Sequence, residues 1–207
     1  IALELAAAGA DVVVNSFSED TTQSTADAVQ GLGRKALPVV GDITQPEIML
    51  ALVDQALKEF GRIDVLVNNV GAGPKSAIEP EAGPLGPVAA LWDALDAQNL
   101  RPVVLMTEAV IPHFKAQKSG KIIHISSIAG RSSLSAKMLE TFVHPSYGAM
   151  KAGLIRYTET LAEMLGPHNI NVNAVCPGIV YSDAWRGYAA RGETAGTEFE
   201  GMEQRER

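Results

Sequence analysis

Short, nearly continuous apolar runs alternate along the chain with longer segments of mixed polarity. The apolar runs are rich in Val, Ile and Leu and occupy residues 11–15, 36–40, 63–69, 121–127 and 170–178. Strands of a parallel sheet have this pattern, because helices cover both faces and neither face meets water. The sequence therefore predicts five buried strands.

The longer segments have the apolar spacing of helices. They cover residues 19–32, 46–60, 88–117 and 145–166. Strands and helices in regular alternation form right-handed β–α–β units. We therefore expect an α/β fold, a doubly wound parallel sheet of the Rossmann type in three layers, as a single domain over residues 1–207.

Both ends of the chain cut through an element in this interpretation. Residues 1–9 have the spacing of a helix body closed by Gly9, and the charged last residues favour a helix without a breaker. We expect a domain truncated at both ends.

Composition narrows the classes of function. The net charge is −7 and no cluster of Lys and Arg occurs, which argues against binding to nucleic acid. No apolar run approaches the roughly 18 residues that a membrane-spanning helix needs. The single Cys176 excludes an internal disulfide and fits a reducing compartment. We expect a cytoplasmic protein with a small-molecule substrate, without a membrane or nucleic-acid partner and without a metal.

Polar residues and glycines follow the predicted strands. The carboxyl ends carry Asn15-Ser16, Gly41-Asp42, Asn68-Asn69-Val70-Gly71, Ser126-Ser127 and Pro177-Gly178. In an open parallel sheet, ligands bind in the crevice beyond these ends. One such end is ordinary turn chemistry, but five together predict a ligand site along one edge of the sheet.

A tyrosine and a lysine are four residues apart in the last predicted helix. Pro145 suits the first turn of that helix, and the spacing places Tyr147 and Lys151 on the same face. An unperturbed tyrosine has a pKa of about 10 and exchanges protons poorly at neutral pH. We expect the lysine cation to lower the tyrosine pKa by stabilising the phenolate.

Several short motifs, in order, resemble the short-chain dehydrogenase/reductase family over nearly the whole chain. They are GDI (41–43), NNVG (68–71), Asn99 in the long helix, ISS (125–127), YGAMK (147–151) and NAVCPG (173–178). The resemblance is strongest to the single-domain NAD(P)H-dependent 3-oxoacyl and ketone reductases. It implies hydride transfer between a nicotinamide cofactor and a ketone or secondary alcohol.

The resemblance implies a catalytic set of Asn99, Ser127, Tyr147 and Lys151. Tyr147 would exchange a proton with the substrate oxygen, and Ser127, with Ser126 as the alternative, would hold that oxygen by a hydrogen bond. Lys151 would also bind the nicotinamide ribose. Asn99 would hold a water that links Lys151 to solvent, at a helix irregularity that we expect from Pro102.

The resemblance also implies the cofactor contacts. Besides Tyr147 and Lys151, they are Ser16, Asp42 and Ile43 at adenosine and its ribose, Asn68 and Gly71 in the NNVG loop, and Pro177, Gly178 and Val180 at the carboxamide. Sites that select NAD commonly have an acid where Ser16 stands. Because a hydroxyl there does not repel a 2′-phosphate, we favour NADP, with NAD as the alternative. A homo-oligomer, tetramer or dimer, through the helices at 88–117 and 145–166 is also implied.

Two other functions share this fold. A non-catalytic dinucleotide-binding regulator would keep the cofactor edge but would have no need of all four catalytic residues. A related epimerase or dehydratase would use the same tyrosine and lysine, usually with a larger C-terminal substrate domain. The segment from Ser127 to Tyr147 is longer than the family usually has, and we expect it to bulge over the substrate side.

The resemblance also implies a first strand that residues 1–207 do not contain. In the order 3-2-1-4-5-6 it would stand between the strands at 11–15 and 63–69. Without it the backbone groups of those strands would be unpaired, so we expect that the isolated polypeptide does not fold stably.

Overall fold

Strands and helices alternate in the order that the sequence predicts. The computed structural model describes residues 1–71, 86–133, 135, 145–178, 180, 186 and 190. In the long segment before Tyr147, residues 134 and 136–144 therefore lie outside the described residues. The helices are α1 (Ala2–Ala7), α2 (Glu19–Gly31), α3 (Pro46–Phe60), α4 (Gly86–Asn99), α5 (Arg101–Gln117) and α6 (Pro145–Leu165). The strands are β1 (Val12–Ser16), β2 (Ala36–Val40), β3 (Val65–Asn68), β4 (Gly120–Ile125) and β5 (Ile170–Val175). Two 3-10 helices, Ile128–Gly130 and Gly166–His168, follow β4 and α6.

The strands form two sheets. β1 and β2 pair in parallel, with Val12 opposite Ala36 and Ser16 opposite Val40. The other sheet has the order β3-β4-β5. These orders agree with the 3-2 and 4-5-6 parts of the predicted 3-2-1-4-5-6 arrangement, and they confirm the predicted α/β class.

Two compact units divide the chain. The first consists of Ile1–Leu66, Arg101–Ile122 and Gly166–Asn171, and the second of Val67–Leu100, Ile123–Leu165 and Val172–Arg207. Among the buried apolar side chains of the first unit are Val29, Val103 and Phe114. Those of the second include Leu95, Leu154 and Leu161. Each unit therefore has apolar side chains removed from water, which is the main favourable contribution to folding.

The long helix predicted over residues 88–117 is broken in two. α4 ends at Asn99 and α5 begins at Arg101. Pro102 has no N–H to donate to the carbonyl of Gln98, four residues earlier, so a continuous helix would lose a bond at this point. The predicted irregularity is confirmed, and it places Asn99 at the end of a helix.

α6 turns one face towards the interior of the second unit. Its buried residues include Met150, Lys151, Leu154, Thr158 and Leu161. Steps of three and four residues define a single helical face. Lys151 therefore lies on the apolar side of the helix, which is unusual for a lysine and points to a specific role.

Candidate active site

Tyr147 and Lys151 lie one turn apart on α6. Lys151 Nζ is 5.7 Å from the centroid of the Tyr147 ring, and the lysine is only 3% exposed. Its ammonium group donates a hydrogen bond of 3.1 Å to the carbonyl oxygen of Ile125, the last residue of β4. The strand end thus holds a buried cation against the ring of the tyrosine.

Ser127 follows β4 and caps the 3-10 helix Ile128–Gly130. Its hydroxyl oxygen accepts a hydrogen bond of 3.2 Å from the Ala129 N–H. The Ser127 hydroxyl also forms a hydrogen bond with the phenol of Tyr147. Two hydroxyl groups from distant parts of the sequence therefore meet beside the buried ammonium.

Ser126 has a different partner. It is 5% exposed, and its hydroxyl donates to the carbonyl oxygen of Lys151 at 2.8 Å. A hydroxyl has one proton to donate, so the proton of Ser126 is already used inside the protein. Between the two serines that the sequence leaves open, this contact favours Ser127 as the donor to a substrate.

Asn99, Gly71 and Lys151 meet at one point. Asn99 is fully buried, and its Nδ2 donates to the carbonyl oxygen of Leu95 at 3.1 Å. A Cβ atom added to Gly71 would lie 2.7 Å from Asn99 Oδ1 and 3.0 Å from Lys151 Nζ. Only a glycine allows this approach. The sequence assigns Gly71 to cofactor binding alone and gives no sign of its contact with Asn99 and Lys151, two of the predicted catalytic residues.

Burial controls the protonation of the pair. It raises the pKa of Tyr147, and the hydrogen bond from Ser127 offsets part of that rise. The expectation that the tyrosine pKa is lowered is therefore wrong, because burial, the largest influence on this group, disfavours the phenolate. Burial also lowers the pKa of Lys151 to about 8. At neutral pH the phenol keeps its proton and most of the lysine is charged.

The turn after β5 lies against the 3-10 helix that Ser127 caps. The Ile128 N–H donates to the carbonyl oxygen of Pro177 at 2.9 Å. A Cβ on Gly178 would be 3.8 Å from Ile128 Cγ2, and Val180 is exposed. Asn68 is buried at the end of β3. The structure thus brings the predicted carboxamide turn, Pro177 and Gly178, next to the serine turn.

The remaining predicted cofactor residues belong to the first unit. Ser16 ends β1, and its carbonyl oxygen accepts a hydrogen bond of 2.9 Å from the Gly41 N–H. Asp42 follows, and its carboxylate accepts from the Thr44 N–H at 2.9 Å. That bond lowers the pKa of Asp42. Ile43 is half-buried beside it. These three residues lie at the carboxyl ends of β1 and β2, whereas the predicted catalytic residues belong to the second unit.

Sequence reasoning missed two glycines that allow close packing around Ser127 and Tyr147. A Cβ on Gly130 would lie 2.6 Å from the carbonyl carbon of Lys151, and one on Gly148 would lie 2.9 Å from the carbonyl oxygen of Ala129. The available signal was the presence of a glycine three residues after Ser127 and directly after Tyr147.

Among the residues that the structure describes, no group of three or more His, Cys, Asp or Glu is arranged to hold a metal ion.

Comparisons with known sequences place these residues in context. The family model for short chain dehydrogenases matches residues 1–191. The 2-dehydro-3-deoxy-D-gluconate 5-dehydrogenase of Escherichia coli (strain K12) is 36% identical over 86% of this chain and 65% of its own length. The 3-oxoacyl-[acyl-carrier-protein] reductase of Synechocystis sp. is 35% identical over 88% of this chain and 69% of its own length. The chain therefore spans about two thirds of the length of these relatives.

Solved structures share the fold. A 7α-hydroxysteroid dehydrogenase complexed with NADH and 7-oxo glycochenodeoxycholic acid has a TM-score of 0.74 at 30% identity, covering 90% of this chain and 68% of its own. An NAD⁺-bound xylitol dehydrogenase has a TM-score of 0.77 at 27% identity, covering 96% of this chain and 72% of its own. Each of these two proteins is an oxidoreductase with a nicotinamide dinucleotide in its structure.

Proposed function

The chain belongs to the short-chain dehydrogenase family of oxidoreductases, and from this premise we propose that the protein transfers a hydride between a nicotinamide cofactor and a ketone or secondary alcohol. The observation that carries the proposal is the cluster of Ser127, Tyr147 and Lys151. Its two hydroxyls are hydrogen-bonded to each other beside a buried ammonium group. A protein that only bound a dinucleotide would gain nothing from this arrangement.

Tyr147 is the proton donor for reduction in this proposal. Burial raises its pKa, so the phenol is protonated at neutral pH and can give its proton to a carbonyl oxygen as negative charge develops there. Ser127 donates a second hydrogen bond to the same oxygen and stabilises that charge. In the direction of oxidation the phenolate would take the proton from the alcohol, which calls for a higher pH.

Lys151 and Asn99 support the tyrosine. The buried ammonium at 5.7 Å from the ring stabilises the phenolate that remains once the proton has left. Asn99 is fixed through Leu95 at the helix break and lies with Lys151 against Gly71. We assign it to hold a water through which Lys151 and Tyr147 recover a proton from solvent.

The residues fit a nicotinamide dinucleotide. Gly71 presents main chain without a side chain beside the buried Lys151 ammonium, and a ribose hydroxyl pair would supply oxygen acceptors for that cation. Such a cofactor, when bound, gives or accepts the hydride. In this proposal Pro177, Gly178 and Val180 hold its carboxamide end, and Asn68 and Gly71 lie beside a ribose. The assignment of Ser16, Asp42 and Ile43 to its adenosine end stays a prediction from the sequence.

We favour NADP over NAD. The residue at the end of β1 is Ser16, whose hydroxyl accepts a bond of 3.3 Å from the Ser18 N–H. A serine brings no negative charge to this position and can donate to a phosphate oxygen. The NADH and NAD⁺ of the two solved structures belong to those proteins and do not decide the preference here.

We also propose a cytoplasmic homo-oligomer, a tetramer or dimer. Within the ranges that the structure describes, no helix is long and apolar enough to cross a bilayer. Val88 and Trp92 on α4 are exposed apolar side chains, and a second copy of the chain would remove them from water. Measuring the molar mass in solution tests the assembly, and a monomer at micromolar concentration would reject it.

Tyr147→Phe tests the function, with Tyr157→Phe as its matched control. Both changes remove one phenol hydroxyl from α6, but Tyr157 stacks on His124 with ring centroids 5.9 Å apart, away from Ser127. We expect Tyr147→Phe to lower kcat by about 10²–10⁴-fold, and Tyr157→Phe to stay within about threefold of the parent. Ketone reduction by the whole protein is followed through the absorbance of the reduced cofactor.

Cofactor binding by the same proteins is measured separately. A fluorescence titration should show NADPH binding more tightly than NADH in the parent and in both variants, which also reports that they are folded. Substantial ketone reduction by Tyr147→Phe would remove the tyrosine from its assigned role. Tighter binding of NADH would reverse the cofactor preference and leave the tyrosine assignment standing.

A further inference from the structure

Lys151 is attached to the end of β4 through both its side chain and its main chain. Its Nζ donates to the carbonyl oxygen of Ile125 at 3.1 Å, and its own carbonyl oxygen accepts from the Ser126 hydroxyl at 2.8 Å. The two partners are consecutive residues. A movement of α6 along the strand would therefore stretch both bonds together.

The main chain of Lys151 is held from a second side by the 3-10 helix after Ser127. A Cβ on Gly130 would lie 2.6 Å from the Lys151 carbonyl carbon and 2.8 Å from its oxygen. Gly148 similarly faces the carbonyl oxygen of Ala129, at 2.9 Å from the position of an added Cβ. The residue before Ser127 and the glycine after it thus contact the same peptide group of α6.

A helix carbonyl can accept this additional bond. Its oxygen has two lone pairs, of which the helical N–H four residues further on uses one. The hydroxyl of Ser126 uses the other in a place that is 5% exposed. Since its one proton is given to Lys151, Ser126 has none to give to a substrate.

We propose that Ser126 is a positioning residue that acts through Lys151. Its hydrogen bond keeps α6 in one position along the end of β4. In that position Lys151 Nζ donates to the Ile125 carbonyl oxygen, and the Tyr147 phenol reaches the Ser127 hydroxyl. The inference rests on the proposed function, because it assigns a role around the same site. Ser126 itself touches neither substrate nor cofactor in this arrangement.

The test compares Ser126→Ala with Thr158→Val in the whole protein. Thr158 offers a matched control because its buried hydroxyl also joins β4 to α6, through His124 at 2.8 Å, but seven residues beyond Lys151. Both variants lose one buried hydroxyl. Competitive labelling with acetic anhydride, read by mass spectrometry at Lys151, reports how accessible this amine is without requiring turnover.

We expect Ser126→Ala to raise the labelling rate of Lys151 by about fivefold or more and to lower kcat about tenfold, with KM for the ketone changed less than twofold. Thr158→Val should leave the labelling rate of Lys151 unchanged, even if this variant loses as much melting temperature as Ser126→Ala does. Ser126→Thr keeps the hydroxyl and should restore the parent labelling rate.

Equal labelling of Lys151 in Ser126→Ala and the parent would overturn the proposal, as would an equal rise in Thr158→Val. If Ser126→Ala does not fold, Gly130→Ala decides, because the added methyl group displaces the same peptide and should raise the labelling likewise. Failure of the proposed function looks different. The parent would then reduce no ketone, while the difference in labelling between Ser126→Ala and Thr158→Val would remain.

Discussion

Lys151 carries a charge that the folded protein holds at a cost. Burial lowers its pKa from 10.5 to about 8, so the folded state favours the neutral amine. The corresponding stability is present above pH 10.5 and is lost as the pH falls towards 8, which makes the ammonium at neutral pH unfavourable by about 3 kcal/mol. A cation kept under these conditions in a cluster with Tyr147 and Asn99 is typical of a functional site.

Gly71→Ala should damage the site through a contact and not only through the backbone. The added Cβ would lie 2.7 Å from Asn99 Oδ1 and 3.0 Å from Lys151 Nζ, so one of these groups must move. We expect kcat to fall about tenfold to a hundredfold. Gly61→Ala is the control, since Gly61 also has a positive φ of 74° but has no atom near its added Cβ. If both variants keep full kcat, Gly71 has no part in arranging Asn99 and Lys151.

Single residues show where sequence reasoning succeeds and where it stops. The spacing of Tyr147 and Lys151 on one helical face follows from sequence, and the structure has it. The predicted lowering of the Tyr147 pKa was wrong. Burial by residues distant in the sequence outweighs the effect of the lysine, and no local sequence pattern indicates this burial. The assignment of roles to Asn99, Ser127, Tyr147 and Lys151 stays a prediction that the substitutions above test.

At the level of elements, α3 is followed by Gly61, whose backbone conformation favours glycine over other residues. Gly61 has φ 74° and its N–H donates to the carbonyl oxygen of Leu57 at 2.8 Å. Side chains make this left-handed conformation unfavourable by about 1 kcal/mol. Gly31, the last residue of α2, has no such φ and also no atom within 4 Å of an added Cβ.

Gly61→Ala and Gly31→Ala should therefore change stability in opposite directions. We expect Gly61→Ala to lower the free energy of unfolding by about 1 kcal/mol and Gly31→Ala to raise it by about 0.5 kcal/mol. Urea denaturation of the whole protein measures both. A loss of stability in both variants would mean that contacts, and not backbone conformation, dominate at these helix ends.

The elements themselves were largely readable from the sequence. All five strands and the break at Pro102 follow from apolar runs and from the missing proline N–H, which are local properties. The 3-10 helix after Ser127 and its packing against Gly148 were not predicted. They depend on residues about twenty positions apart in sequence, and only the folded chain brings these together.

At the level of the whole molecule, a buried histidine links stability to pH. His124 is fully buried on β4 with Nδ1 2.8 Å from Thr158 Oγ1. The Thr158 hydroxyl donates to the Leu154 carbonyl at 2.7 Å, so we assign the donated proton to Nδ1 of a neutral ring. Burial lowers the pKa of His124 to about 4. Between about pH 6.5 and pH 4, this histidine therefore binds a proton in the unfolded chain but stays neutral in the folded chain.

His124 should therefore destabilise the protein as the pH falls from 6.5 towards 4. Between pH 7 and pH 5 we expect its contribution to lower the free energy of unfolding by about 2 kcal/mol. His124→Asn keeps a donor for Thr158 and does not titrate, so the parent should lose about that much more stability than the variant. Urea denaturation at the two pH values gives the comparison, and equal losses in parent and variant would contradict it.

The order of the strands was also predictable, because the alternation of strand and helix predicts a doubly wound sheet and the resemblance to short-chain dehydrogenases implies one order for it. The two sheets agree with that order. The close approaches around Lys151 were not predictable, since each depends on distances between parts of the chain that no pattern encodes.

The hold on the Lys151 ammonium comes from the carbonyl of Ile125, an atom that all twenty amino acids share. The Ile128 N–H that donates to the Pro177 carbonyl oxygen is likewise a main-chain group, which every residue type except proline carries. Mutational drift at positions 125 and 128 can thus change the side chains without erasing these bonds, whereas Ser126 and Ser127 contribute atoms that only a few residue types carry. Part of the site is therefore formed by main-chain groups. In proteins that evolve from this sequence, the side chains at these positions can change while the geometry of the site persists.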